Sequence, residues 1–141
     1  MTVYADTSFF VSIYLADKHS KAAEQLVSSG ARVWFTPLHY AEYAHAVAQQ
    51  VFYKYLNVAD ARQAHRHLER DRTANVWAEI EMPDNAFDLC AELAHRHGPT
   101  LGVRTLDSLH VACALELKAE RFWTFDEGLS KLAKGVGLKM R

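Results

Sequence analysis

Four carboxylates in four separate stretches carry the chemistry this sequence could do. Asp6 follows the short β-prone run TVYA (2–5), and Asp126 follows RFWTF (121–125). Glu42 lies in the first turns of an apolar, aromatic segment, amid Leu38, Tyr40, Ala41 and Tyr43. Asp107 opens TLDSLHVACALEL (105–117), between Leu106 and Leu109. Each acid has a local explanation. Asp6 can cap the helix that follows it. Asp107 can favour its helix N-terminus through the dipole. Glu42 can point to water, and Asp126 can form a turn with Glu127 and Gly128. Only folding could bring them together.

If it does, the chemistry is specific. Clustered carboxylates raise one another's pKa values and call for a compensating cation. Oxygen-only ligation suits Mg²⁺ or Mn²⁺ rather than zinc. Mg²⁺ keeps several waters and takes few protein carboxylates, which leaves room for a phosphate oxygen. Such a site performs metal-assisted phosphodiester hydrolysis. Zinc catalysis is disfavoured: the histidine pairs His65/His67 and His95/His97 are spaced i, i+2, and point to different sides of a helix. There is no H-E-x-x-H and no close cysteine pair. An aspartate after a first strand also opens phosphatase and phosphotransferase sites. Those usually carry a second Asp two residues on, where Ser8 stands here, and no glycine-rich Walker loop is present.

The elements that must position the acids alternate. TVYA reads as a strand and SFFVSIYLA (8–16) as a helix capped by Asp6 or Thr7. HSKAAEQLVSS (19–29) reads as a helix stopped by Gly30, and RVWF (32–35) as a strand. Thr36-Pro37 starts a helix that runs to about Leu56, and Asn57 caps a surface helix over 57–71. VWAEI (76–80) reads as a strand, and Pro83 begins a helix ending at Gly98, with GPTLG (98–102) as a loop. A helix over 105–117, a strand over 121–125, a helix over 127–134 and a final edge strand at LKM (138–140) complete the chain. This order predicts one α/β domain over residues 1–141, with a central, mostly parallel sheet and helices on both faces. In such sheets ligands bind beyond the carboxyl ends of the strands, where Asp6 and Asp126 fall.

The totals agree. At 141 residues and 50% hydrophobic, the chain suits one compact domain with a real core. No apolar run is long enough to span a bilayer, and no cationic leader precedes an apolar block, so a cytoplasmic protein without membrane contact is expected. Cys90 and Cys113 fall in apolar, helix-like stretches and read as buried free thiols. Net charge is −1, so a nucleic-acid partner would need a local patch. Arg62, Arg66 and Arg70 form one helical stripe that could touch RNA phosphates; Glu69 and Asp71 could instead make it a solvated, self-neutralised face. Tyr40, Tyr43, Phe52, Tyr53 and Tyr55 make 37–56 unusually aromatic, through base stacking, an interface or core packing. His110, three residues after Asp107, reads as a packed core histidine that could approach the acids.

Four pieces of sequence resemble the PIN-domain proteins, and among them the VapC-type toxin ribonucleases. They are YADTSFF (4–10), HYAEYAHAV (39–47), LGVRTLDSLHVACAL (101–115) and FWTFDEGLSKLAKGVGL (122–138). The third is the most specific, through Arg-Thr-Leu-Asp-x-Leu-His-x-Ala. The resemblance spans nearly the whole chain. It implies a central parallel sheet with an acidic pocket, in which Asp6, Glu42, Asp107 and Asp126 match the family's four acids. Thr7 or Ser8 matches the hydroxyl that supports the first acid, and Thr124 the small hydroxyl residue two before the last. It further implies Mg²⁺- or Mn²⁺-dependent RNA cleavage, a homodimer, and inhibition by a small antitoxin protein. On that match, Asp6 and Asp107 hold a metal directly or through water, Glu42 and Asp126 complete the site, and water is the nucleophile. The competing expectation is a PIN-fold binding module acting mainly in a DNA-bound complex with its partner.

Overall fold

The computed structural model describes all residues, 1–141. In chain order the elements are β1 (Thr2–Ala5), α1 (Thr7–Tyr14), α2 (Ser20–Ser28), β2 (Arg32–Phe35), α3 (Pro37–Phe52), α4 (Val58–Thr73), β3 (Ala78–Glu79), α5 (Ala86–Leu101), α6 (Thr105–Glu116), β4 (Arg121–Trp123) and α7 (Glu127–Gly135). The four strands form one sheet in the order β3-β2-β1-β4, and every pairing is parallel. Val3 pairs with Val33 on one side of β1, and Tyr4 with Phe122 on the other.

Two hydrophobic cores sandwich this sheet, and the period-two alternation of strands divides them. Val3 and Ala5 face the first core, with Val33, Phe35 and Trp123. It is closed by Phe9 and Phe10 of α1, Tyr43 and Val47 of α3, and Leu68 of α4. Tyr4 and Phe122 face the second, under Cys90 and Leu93 of α5, Val111 to Ala114 of α6 and Leu132 of α7. Full burial of Phe9 and Phe10 contributes about 1.5–3 kcal/mol each. Cys90 and Cys113 are buried free thiols, and burial pushes the Cys113 thiol up to about 11.

This topology explains why the acids could meet. From β1 the chain steps through β2 to β3 on one side, then crosses over the opposite face through α5 and α6 to reach β4 beside β1. The strand order therefore reverses between β1 and β4, and such a switch point opens a crevice at the carboxyl ends of the strands. Asp6 and Asp126 follow those two strands.

Several boundaries differ from the sequence expectation. The strand expected over 121–125 ends at Trp123, because Thr124 turns its hydroxyl toward Asp6. The strand over 76–80 shortens to Ala78–Glu79 at the sheet edge, and LKM contributes only a single bridge from Met140 to Phe122. The helix from Pro37 ends at Phe52 rather than near Leu56, and Lys54 follows at φ 63°. The helix expected from Pro83 to Gly98 starts at Ala86 and runs through Gly98 and Pro99 to Leu101. Pro99 sits in the final turn and has no N–H for the carbonyl four residues back, so the ladder loses one bond there. The left-handed stop is Gly102, φ 63°, whose N–H bonds the Gly98 carbonyl at 2.8 Å.

Candidate active site

Asp6 is 6% exposed at the turn from β1 into α1. Its backbone N–H bonds the Trp123 carbonyl of β4 at 3.1 Å, which extends the sheet ladder by one residue and fixes the turn. Its carboxylate accepts from the Ser8 hydroxyl at 2.6 Å, the Thr124 hydroxyl at 2.6 Å and the Phe9 N–H at 3.4 Å. The last of these makes Asp6 the cap of α1. Cap and site are thus not rival roles: one oxygen carries the cap, and Thr124 holds the other toward β4.

Thr124 links two of the acids. While donating to Asp6 it accepts the Asp126 N–H at 3.0 Å, and Asp126 itself caps α7 by accepting from the Leu129 N–H at 2.7 Å. Thr124→Val is isosteric but removes the donor to a buried carboxylate. It is expected to lower unfolding free energy by about 1.5–3 kcal/mol, read by urea denaturation, while Thr124→Ser restores most of it.

Asp107 lies in the first turn of α6, and Arg104 approaches it at 3.8 Å. Burial raises its pKa; Arg104 opposes the rise, and the charges of Asp126 and Asp6 add to it. Glu42 stands on the other flank. Its Oε1 accepts from the Thr7 hydroxyl at 2.7 Å and from His110 Nε2. Burial pushes the Glu42 carboxyl up, but the hydrogen bond and charge of His110, with the Thr7 hydroxyl, outweigh it, and the net shift is downward.

His110 is 2% exposed and belongs both to the core and to the site. Since a carboxylate only accepts, Nε2 carries a proton toward Glu42, and Nδ1 is hydrogen-bonded to the Tyr4 hydroxyl at 2.7 Å. Burial holds the Tyr4 hydroxyl well above its usual pKa, so it remains a donor. Tyr4 is the residue that sequence reasoning missed. Its signal was only an inward-facing hydroxyl in a short apolar strand.

No three of the acid and imidazole groups approach closely enough to enclose one ion. A hard cation bound through one or two carboxylates and its own waters fits that spacing. The donor set fits too: oxygen only, with like-charge crowding on Asp107 that a cation relieves. Around these groups lie two cavities. One, about 630 Å³, is lined by Thr7, Ser8, Glu42, His45 and Leu106 among others. The second, about 250 Å³, is lined by Thr124, Asp126 and Ser130, and His19 lines both.

A four-stranded parallel sheet with helices on both faces, and Asp6 and Asp126 linked through Thr124 beyond β1 and β4, define the class of domain. Residues 3–135 match the PIN domain family, and the chain belongs to it. No curated protein matches the sequence. Among solved structures, the fold is similar to VapBC2 from Rickettsia felis, bound to a DNA fragment from its promoter, at 15% identity and a TM-score of 0.70, covering 100% of this chain and 98% of that one. It is similar to VapC20 of Mycobacterium tuberculosis, a sarcin-ricin loop cleaving toxin, at 17% identity and TM-score 0.72, covering 96% and 95%. VapBC-1 from nontypeable Haemophilus influenzae aligns at 18% identity and TM-score 0.68, covering 100% and 97%. No helix is long and apolar enough to cross a membrane.

Proposed function

We propose that this PIN domain is a metal-dependent endoribonuclease, the toxin of a VapBC-type toxin–antitoxin pair. What supports the reading is the tie of Asp6 to Asp126 through the Thr124 hydroxyl at the ends of β1 and β4, with Glu42 held by His110 and Thr7. Asp6 and Asp107 would hold Mg²⁺ or Mn²⁺, with Glu42 and Asp126 completing the site through metal waters or a second ion. The bound ion would polarise the phosphoryl group and lower the pKa of an attacking water. The chain's own residues do the rest. Ser8 and Thr124 fix both oxygens of Asp6, and Tyr4 through His110 fixes one oxygen of Glu42. Likeness in fold to VapBC structures and to a sarcin-ricin loop cleaving toxin supports RNA as substrate and a small antitoxin as partner; a homodimer in the cytoplasm belongs to the same proposal. A module that acts only within a DNA-bound complex would have no need of this acid arrangement.

The test is incubation of the purified chain with structured RNAs in Mg²⁺, in Mn²⁺ and in EDTA. Cleavage at defined sites in either metal and none in EDTA is expected. Cleavage that persists in EDTA would remove the metal from the reading, and no cleavage of any RNA would remove the nuclease.

A further inference from the structure

The α3–α4 hairpin carries an aromatic and cationic surface that the candidate site does not use. Phe52, Tyr53 and Tyr55, at the tip, are 71%, 63% and 78% exposed. Phe52 and Tyr53 stand edge to face with centroids 5.2 Å apart, and Tyr53 and Tyr55 lie 6.3 Å apart. Lys54 lies between the two tyrosines in sequence. Apolar rings this exposed at the end of a helix are unusual on a surface with nothing to bind.

Along α4, Ala61, Ala64 and Leu68 face inward, and Arg62, Arg66 and Arg70 are exposed. The acids expected to neutralise this stripe are engaged elsewhere. Glu69 pairs with Arg72 at 2.9 Å, and Asp71 accepts from the Tyr14 hydroxyl at 2.6 Å, with only a 3.5 Å approach from Arg70. Arg62 and Arg66 make no ion pair.

The stripe runs along the hairpin antiparallel to α3, on a different side from the cavity that Glu42 lines. The Arg72 guanidinium lies 4.7 Å from the Tyr40 ring, two residues before Glu42, and Tyr43 stacks edge-on against His65. The C-terminal end of α4 therefore sits beside the first turns of α3. From Arg70 through Arg66 to Arg62 the stripe leads away from the acids, over about 12 Å at 1.5 Å per residue, toward the aromatic tip.

We propose that this hairpin is a single-stranded RNA-binding arm: Arg70, Arg66 and Arg62 grip successive phosphates, and the rings at the tip stack on the bases beyond. The inference rests on the ribonuclease reading for its substrate. Exposed guanidinium groups, those of Arg62 and Arg66 without an ion pair, together with exposed aromatic rings are the chemistry that binds single strands without reading their sequence. The stripe also offsets the repulsion that an acidic site imposes on a polyanion.

Binding of a labelled 15-nucleotide single-stranded RNA, in EDTA and across a salt series, tests the arm without requiring cleavage. The Arg62→Gln/Arg66→Gln/Arg70→Gln protein should show a salt dependence flatter by about 0.7 per lost phosphate contact. The triple Arg→Lys protein should keep the slope. Tyr55→Ala should weaken binding about 5–150-fold, with the salt slope unchanged. If the wild-type chain cleaves no RNA but binds it with this salt slope, the nuclease reading falls and the arm stands. An unchanged slope and affinity in the glutamine protein overturns the arm. So does unchanged RNA binding with altered self-association by sedimentation, which would give the surface to a second copy.

Discussion

Asp6→Asn and Asp107→Asn should each lower RNA cleavage by on the order of 10³-fold with the fold intact. That figure corresponds to several kcal/mol of charge stabilisation at about 1.4 kcal/mol per decade. Asparagine keeps the shape and one carbonyl oxygen, so the Phe9 cap can persist at Asp6, while the amide nitrogen in place of the other oxygen would donate to the Thr124 hydroxyl instead of accepting from it. What disappears is the charge that would hold a divalent cation. At Asp107 a second sign distinguishes this reading from a structural role. Its folded-state pKa is raised, by burial first and then by Asp126 and Asp6 against Arg104. The ionised side chain is therefore disfavoured in the folded state, and stability would rise as pH falls through that pKa. In metal-free buffer at neutral pH, Asp107→Asn should melt at or above the wild-type temperature while losing activity. A residue retained for stability would behave the other way. Full cleavage by both asparagine proteins would remove these residues from the chemistry, and a marked drop in melting temperature for Asp107→Asn would make it structural.

The fold was legible because its signals are local. β1 and β2 are short runs of β-branched and aromatic residues, and Asp6, Thr36 and Asn57 each cap the helix that follows. Alternation of strand and helix then left little choice but a parallel sheet. Boundaries were legible only where a cap or a glycine in the left-handed region marks them. Gly98 misled because a glycine stops a helix only where it takes the left-handed conformation, which here falls to Gly102 at φ 63°. The four acids could be named from their places at strand ends and helix starts. Their partners could not. Thr7 to Glu42 and Thr124 to Asp6 span 35 and 118 residues of sequence. The Tyr4–His110 bond leaves no pattern in either element. Asp6 shows why the local and functional explanations coexist. A carboxylate has two oxygens, and a turn that caps a helix with one leaves the other free to be held by Thr124 beside β4.

His39 shows how the same economy holds the scaffold behind the site. It is fully buried in the first turn of α3. Its Nε2–H donates to the Ala5 carbonyl at 2.7 Å, and its Nδ1 accepts the Thr36 N–H at 2.9 Å. The neutral ring thus bridges the residue before Asp6 to the cap of the helix that carries Glu42. Burial holds its pKa well below the usual histidine range; the charge of His110 adds to this, and the Ala5 carbonyl opposes it. Protonation would place a second N–H against the Thr36 N–H. Because the folded-state pKa is depressed, the unfolded chain binds this proton more readily. The contribution is complete above the unfolded value of about 6.5 and is lost as pH falls below it, with a limiting slope of about 1.4 kcal/mol per pH unit. His39→Leu fills the space but strands the Ala5 carbonyl and the Thr36 N–H, at about 1–3 kcal/mol each. Urea denaturation from pH 7.5 to 5 should show the leucine protein less stable at neutral pH and the difference shrinking as the solution is acidified. A difference that stays constant over that range would mean that His39 takes up its proton in the folded state, and that the bridge between the two strands is not what sets acid stability.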